Sequence, residues 1–193
     1  MGNLVAGQPT VQQALTAARH LAAAGEAHQY LTSLLGGEMY AVGILNVKEI
    51  IEYGNLTEIP MMPAFIRGVI NLRGSVVPVV DLAARFGHTQ SEVGKRTCIV
   101  IVEVRQGDDK QDLGIMVDAV SEVLEIPGSE IEPPPSFGAK IRADFIAGMG
   151  KVAGKFVILL DIQKVLSVEE MALLGEVGTA AMGTETVAAQ IAA

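Results

Sequence analysis

The pattern of apolar and polar positions predicts a chain built mainly from short β-strands. Short apolar runs rich in valine and isoleucine recur along its middle, separated by glycine, asparagine or proline. Residues 97–104 are almost uninterrupted β-branched residues, which is typical of a strand buried on both faces. The other runs predict strands at 30–34, 39–42, 69–72, 76–80, 113–117 and 123–126, and a further hairpin at 145–152 and 155–162.

Few segments have a helical pattern. Thr10 is a candidate N-cap for a helix over 11–24, and the thin, alanine-rich apolar face of that helix predicts weak packing or a mobile extension. Residues 44–51 predict a short helix. Asp81 stands where the N-cap of another short helix would stand, directly after the strand at 76–80.

The hairpin at 69–80 carries the strongest candidate contact residues. Its two apolar runs are joined through Arg73, Gly74 and Ser75, which predicts a tight turn. The hairpin itself does not need Asn71 or Arg73 beside that turn. A guanidinium on a rigid turn is a fixed fork of donors that fits a carboxylate or backbone carbonyls on a partner. The alternative is that Arg73 is an ordinary solvated turn charge.

The chain contains an internal repeat. Residues 65–68 (Phe-Ile-Arg-Gly) recur as residues 145–148 (Phe-Ile-Ala-Gly), an offset of 80. Upstream, residues 47–51 resemble residues 120–124, and Glu-Ile-Pro follows each of them. The chain therefore holds two related β units. Many short strands with turn signals indicate small barrels rather than a parallel sheet.

The repeat separates what both copies keep from what one copy has alone. Asp81 recurs as Asp161, so helix capping explains both carboxylates and neither is interpreted as a catalytic acid or base. Where the first copy has Arg73, the second has Ala153, so the turn does not need an arginine. This difference favours Arg73 as a partner contact.

Composition narrows the class of function. Half of the 193 residues are hydrophobic and there is no tryptophan, so the core must be aliphatic. The net charge of −8 argues against non-specific nucleic-acid binding. The single cysteine, Cys98, excludes an internal disulfide. No secretory signal and no apolar run of membrane-spanning length is visible, which predicts a cytoplasmic protein without direct membrane insertion.

The sequence has no spacing that predicts catalysis, a metal site or a cofactor site. The three histidines, His20, His28 and His88, are not near a nucleophile motif or at metal-ligand spacing. Asp108 and Asp109 lack the rest of a calcium loop. No catalytic residue, metal or cofactor is therefore predicted.

Two further residues are candidate contacts with two interpretations each. Phe137 follows three consecutive prolines and is either a pre-organised anchor for a partner or a cap on the second barrel. Glu49 is either an exposed contact or a structural residue, since its counterpart Glu122 occupies the same place in the repeat.

These motifs resemble those of the CheW-type chemotaxis coupling proteins of bacteria. FIRGVINLRGSVVPVVDL is similar to the family's central signature, and ILNVKEI, GIMVDAVSEVL and EEMALL fall around it in matching order. The resemblance implies a mainly β fold. It consists of two small five-stranded SH3-like or OB-like barrels packed on a shared aliphatic core, with short helices and a C-terminal helix.

The resemblance also implies a division of the chain. An N-terminal helical or mobile extension covers 1–27 and a single CheW-like domain covers 28–177. The ranges within and after that domain are a first subdomain at 28–96, a second at 97–166, a C-terminal helix at 168–176 and a flexible tail at 178–193. The extension is longer than the minimal family pattern.

The implied function is that of a non-enzymatic adaptor. Such proteins couple the cytoplasmic tips of methyl-accepting chemoreceptors to the regulatory domain of the histidine kinase CheA, in membrane-associated arrays. The residues at matching positions of the interaction surface are Arg73, Asn71, Gly68, Val47 and Glu49, and Phe137 matches a loop that contacts the kinase domain. The alternative is the same adaptor role in twitching motility or biofilm control.

Overall fold

Eleven strands and three helices form the part of the chain that the structure, a computed structural model, describes: residues 10–23, 28–136, 142–167 and 169–170. The strands are β1 (Gln29–Leu35), β2 (Glu38–Gly43), β3 (Val47–Glu52), β4 (Ile66–Leu72), β5 (Ser75–Asp81), β6 (Cys98–Gln106), β7 (Asp109–Val117), β8 (Ala119–Glu125), β9 (Ile131–Glu132), β10 (Ile146–Val152) and β11 (Lys155–Leu160). The helices are α1 (Val11–Ala23), α2 (Leu82–Arg85) and α3 (Ile162–Val165), with 3₁₀ turns at Ile44–Asn46, Gly128–Glu130 and Ala143–Phe145.

The strands form two sheets. The first has six strands in the order β8-β1-β2-β11-β10-β9, and the second has five in the order β3-β6-β7-β5-β4. Neighbouring strands are antiparallel, except that β11 runs parallel to β2 and β5 runs parallel to β7. The mainly β fold is confirmed. The first sheet exceeds the expected five strands because the two residues of β9 pair with β10.

Each repeat unit contributes strands to both sheets. In the first unit, β1 and β2 lie in the first sheet while β3, β4 and β5 lie in the second. In the second unit, β6 and β7 lie in the second sheet while β8, β10 and β11 lie in the first. The predicted split into 28–96 and 97–166 therefore follows the repeat but not the sheets, because each parallel pairing joins strands of different units.

The two copies have the same local geometry where they turn into their short helices. The backbone N–H of Asp81 donates to the carbonyl of Phe65, and that of Asp161 donates to the carbonyl of Phe145, both at 2.8 Å. Each aspartate side chain then accepts from N–H groups of the helix that follows it. The predicted capping role of both carboxylates is confirmed, since such a side chain pairs donors that a helix start leaves open.

The core is mainly aliphatic, with a few aromatic rings, and it is continuous between the sheets. In β6, Ile99, Val100, Ile101 and Val102 have no solvent exposure, so this strand is buried on both faces as its sequence predicts. One apolar cluster joins side chains of both sheets, including Leu31, Val42, Val100, Val102, Leu113 and Leu160. Burying a side chain of this size contributes roughly 1.5–3 kcal/mol, so this shared cluster holds the sheets together.

The predicted short helix at 44–51 is wrong. Only Ile44–Asn46 forms a 3₁₀ turn, and the residues after it form β3, which pairs antiparallel with β6. The pairing with a fully buried strand overrides the weak helical preference of this segment. Glu49 therefore lies on a strand rather than on a helix.

The helix predicted near the N-terminus forms, and its thin apolar face is buried. Leu15 is 1% exposed and Ala18 is 5% exposed, and both belong to the main apolar cluster. At the other end of the chain, Ser167 Oγ accepts from the Glu170 N–H at 3.4 Å, the bond that a serine N-cap makes at the start of a helix. The rest of the predicted C-terminal helix and the tail at 178–193 lie outside the described residues.

Candidate partner-binding site

The turn between β4 and β5 holds Arg73 in a left-handed conformation. Arg73 has φ 51° and Gly74 has φ 86°, the two positive values that a two-residue type I′ hairpin turn requires. Asn71 Oδ1 accepts from the Gly74 N–H at 2.8 Å and fixes the turn. In the second copy, Ala153 and Gly154 adopt the same conformation, with φ 49° and 76°. The backbone therefore gives no reason for an arginine at residue 73.

Arg73 forms a two-pronged ion pair with Glu49. Arg73 Nη1 lies 2.7 Å from Glu49 Oε1, and Nη2 lies 2.9 Å from Oε2. The hydrogen bond to Glu49 raises the pKa of Arg73 above its ordinary value. The Arg73 side chain is 76% exposed, whereas the Glu49 side chain is 19% exposed. Solvent screens such a pair, so its main effect is to fix the direction of an exposed guanidinium.

The pair joins the two edges of the second sheet. Glu49 lies on β3 and Arg73 follows β4, and these strands are the outermost in the strand order. After β3, Thr57 pairs with Val69 of β4 through bonds of 2.9 and 2.8 Å. The sheet therefore curls until its edges meet, which is consistent with the small barrel expected from the sequence.

A second group of charges lies next to Glu49 on β3. Lys48 Nζ lies 2.6 Å from Asp112 Oδ1 and 3.2 Å from Glu103 Oε2. Lys110 Nζ lies 2.8 Å from Glu103 Oε1, and the hydrogen bonds from Lys110 and Lys48 lower the pKa of the Glu103 carboxyl. The sequence shows an acidic segment here, but it does not show that two lysines are paired with it.

A cleft of about 550 Å³ adjoins the ion pair. Its lining residues are Gln12, Arg19, Lys48, Glu49, Leu72, Arg73, Ser75, Val77 and Asp112. One wall belongs to α1, whose Arg19 Nη1 donates to the Lys48 carbonyl at 3.1 Å. This carbonyl lies at a register shift in the pairing of β3 with β6, where the ladder is interrupted. Sequence reasoning did not include α1 in the site.

The remaining predicted site residues lie in different environments. Asn71 is exposed beside Arg73, whereas Val47 has no solvent exposure. Gly68 is buried with φ 145°, and a Cβ there would lie 2.3 Å from the Thr57 carbonyl oxygen. Phe137 lies outside the described residues. The structure thus brings Arg73, Glu49 and Asn71 to one exposed surface.

Within the described ranges, no cluster of three or more histidine, cysteine, aspartate or glutamate side chains is placed to hold a metal ion. Over the same ranges, no helix has the length and apolar character to span a membrane.

Two interlocked sheets that carry an ion pair with an exposed guanidinium define a mainly β scaffold. A family model described as "CheW-like domain" matches residues 29–170. The chain belongs to the CheW-like family, whose members are non-catalytic chemotaxis scaffolds.

Individual relatives agree with this assignment. The chain is 38% identical over 149 residues to the chemotaxis protein CheW of Klebsiella aerogenes, covering 77% of this chain and 87% of that protein. It is 32% identical over 123 residues to Protein FrzA of Myxococcus xanthus, covering 63% of this chain and 74% of that protein. The crystal structure of the scaffolding protein TtCheW from Thermoanaerobacter tengcongensis superposes with a TM-score of 0.66 at 36% identity, covering 72% of this chain and 92% of that one.

Proposed function

We propose that this scaffold couples the cytoplasmic tips of methyl-accepting chemoreceptors to the regulatory domain of the histidine kinase CheA, in membrane-associated arrays. The observation that carries the proposal is the ion pair between Arg73 and Glu49. It presents a guanidinium that is exposed and held in one direction on a rigid turn. Such a group orients a partner more than it stabilises the scaffold.

The two hairpins of the repeat expose different side chains, as expected for an adaptor that binds two different partners. The first copy presents Arg73 at its turn, and the second presents Lys151 and the exposed ring of Phe156 beside its own. One chain therefore offers two chemically different surfaces on similar hairpins, which supports binding of two different partners. Phe137 remains the proposed contact for the kinase domain, and Val47 and Gly68 remain proposed members of the interaction surface.

The test is a reconstitution from purified components. A receptor-tip fragment and the kinase regulatory domain are mixed with this protein separately and together, and complexes are measured by co-purification. We expect two binary complexes and a ternary complex. Failure to bind either partner alone or in the mixture contradicts the proposal.

A matched pair of variants connects the result to the site. Arg73→Ala removes the ion pair on the first hairpin, and Lys151→Ala removes the exposed pair of Lys151 with Glu132 on the second. We expect Arg73→Ala to weaken receptor-tip binding about tenfold, a change on the order of 1.4 kcal/mol in the free energy of binding. Lys151→Ala should leave receptor-tip binding unchanged.

A second candidate is the same adaptor role in a pathway for twitching motility or biofilm control. It is supported by the similarity to Protein FrzA, a relative that carries a different name from the CheW proteins. Deletion of the gene separates the candidates. Loss of directed swimming favours the first, and loss of surface movement or of biofilm control, with swimming kept, favours the second.

A further inference from the structure

Helix α1 is the part of the structure that the proposed function does not use. It precedes residues 29–170, the range matched by the family model, so it is an addition to the family domain. It packs against β1 and β8 of the first sheet and against β3 of the second, and also against the 3₁₀ turn at Ile44–Asn46. The helix therefore lies across the seam between the sheets.

The seam beneath α1 is apolar. Leu15 and Ala18, three positions apart on one face of the helix, share an apolar cluster with Leu31, Ile44 and Val47. Val47 matches the family's interaction surface by sequence, yet it has no solvent exposure. Both elements that meet at Val47, the 3₁₀ turn and β3, are in contact with α1. The added helix thus packs against elements that carry part of the expected binding surface.

The helix also adjoins the exposed part of that surface. Gln12 and Arg19 line the cleft that contains Glu49 and Arg73. Arg19 holds the helix to β3 through its bond to the Lys48 carbonyl. A partner that binds at the ion pair would therefore meet α1 next to it.

The attachment of α1 is small. Among its described side chains, Leu15 and Ala18 are the fully buried ones, and alanine buries little area. An isolated helix of 13 residues is marginal in water, even when it is rich in alanine. Elements with few buried apolar contacts open far below the free energy of global unfolding. Opening of α1 is therefore accessible while both sheets stay folded.

We propose that α1 is a displaceable intramolecular cover on a helix-binding seam, and that an amphipathic helix of the receptor partner takes its place. The seam already holds a helix with small and branched apolar residues three positions apart, so it fits a partner helix of the same pattern. The identity of the partner rests on the proposed function. The existence of the covered seam does not.

The first experiment tests the seam without any receptor. Ala18→Asp places a carboxylate under the helix, and Ala17→Asp places one on the exposed face as a matched control. A labelled synthetic peptide of residues 10–23 is titrated into each full-length variant, and binding is read from fluorescence anisotropy. We expect the Ala18→Asp protein to bind the peptide about tenfold or more tightly than wild type or Ala17→Asp, because a closed cover reduces apparent affinity by the open fraction.

A folded Ala18→Asp protein that does not bind the peptide overturns the inference. If Ala18→Asp does not melt cooperatively, Leu15→Ala weakens the same contact with a smaller change. In that variant, peptide affinity must lie above that of wild type, and an equal or lower affinity overturns the inference.

The second experiment uses wild-type protein and a receptor-tip fragment. Hydrogen exchange of the α1 amides is measured with and without the fragment. We expect faster exchange in α1 when the fragment binds, and unchanged or slower exchange overturns displacement. If the fragment binds neither wild type nor Ala18→Asp, the proposed receptor partner is wrong, while the peptide titration still decides whether α1 covers a helix-binding seam.

Discussion

The guanidinium of Arg85 donates from Nε to the carbonyl of Val165 at 2.8 Å and joins the two repeat units. Arg85 ends α2 and Val165 ends α3, so the bond connects equivalent helices of the two copies. The guanidinium carbon also lies 4.8 Å from the centre of the Phe145 ring and 5.4 Å from that of Phe65. Nη2 lies 3.3 Å from Glu170 Oε1, close enough for attraction although not aligned for a hydrogen bond. The buried charge thus has an acceptor, two aromatic faces and a counter-ion.

This arrangement predicts that Arg85→Ala lowers the free energy of unfolding by about 2–4 kcal/mol, because it removes a charged hydrogen bond and two cation–π contacts from a buried site. Chemical denaturation monitored by circular dichroism measures the change. Arg85→Lys keeps the charge but loses the planar guanidinium, so its free energy of unfolding should lie between those of wild type and Arg85→Ala. Equal stability of wild type and Arg85→Ala would contradict the structural role.

The ion pair of Arg73 and Glu49 predicts a separation of binding from stability. Arg73→Ala, Glu49→Ala and the double variant should keep the melting temperature of wild type, because the arginine is exposed and solvent screens the pair. The affinity for a receptor tip should fall in both single variants. The double variant should lose less binding free energy than the sum of the two single losses, because the two side chains act as one unit. Isothermal titration completes this double-mutant cycle. A parallel loss of melting temperature and affinity would make the pair structural.

The two repeat glycines predict unequal responses to the same substitution. Gly68 has φ 145° and a Cβ there would meet the Thr57 backbone, whereas a Cβ at Gly148 would lie 2.7 Å from the side-chain methyl Cγ2 of Ile131. A side chain can move and a paired backbone cannot. We expect Gly68→Ala to cost at least about 2 kcal/mol of unfolding free energy and Gly148→Ala to cost less. Urea unfolding of both variants tests the order, and a larger effect at Gly148 would contradict it.

Tyr40 predicts a loss of stability in alkaline solution. Burial, followed by the charge of Glu38, raises the pKa of Tyr40 from 10.0 to about 12. Between these values the unfolded chain releases the phenol proton and the folded chain keeps it, so stability falls as the pH rises. The expected loss of unfolding free energy is about 2 kcal/mol between pH 10 and 12.

Tyr40→Phe is the control for this pH dependence, since it keeps the ring that lies 5.6 Å from Phe86. The fall of stability with pH should be smaller in this variant but should not vanish, because burial also raises the pKa of Tyr30. Denaturation midpoints at a series of pH values measure this pH dependence. An unchanged pH dependence in Tyr40→Phe would assign the effect to other groups.

Local features of this fold could be predicted from sequence because they depend on neighbouring residues. The turn at Arg73 and Gly74 and the cap at Asp81 each follow from a few adjacent positions. Comparison of the two copies indicates that the fold needs the capping aspartate but not the arginine. The pairing of Arg73 with Glu49 could not be predicted, because it depends on how far the sheet curls.

The exchange of strands between the units was also not predictable. Both units carry the same apolar pattern. From that pattern alone, β5 could take either β2 of its own unit or β7 of the other unit as its parallel neighbour, and the structure pairs it with β7. The burial of α1 was missed for a related reason. Its face is thin, and Leu15 and Ala18 find a matching surface that exists only after both sheets have formed.

The strand exchange between the repeat units makes this molecule the single-chain equivalent of a domain-swapped dimer. A chain cut near residue 96 would give two halves that each carry strands for both sheets and complete neither, so each half would expose unpaired strand edges until it met the other. The two halves should therefore unfold together, because each of them contributes strands to both sheets. The proposed function, which is to hold two partners in fixed relation, would need a body that moves as one piece in this way.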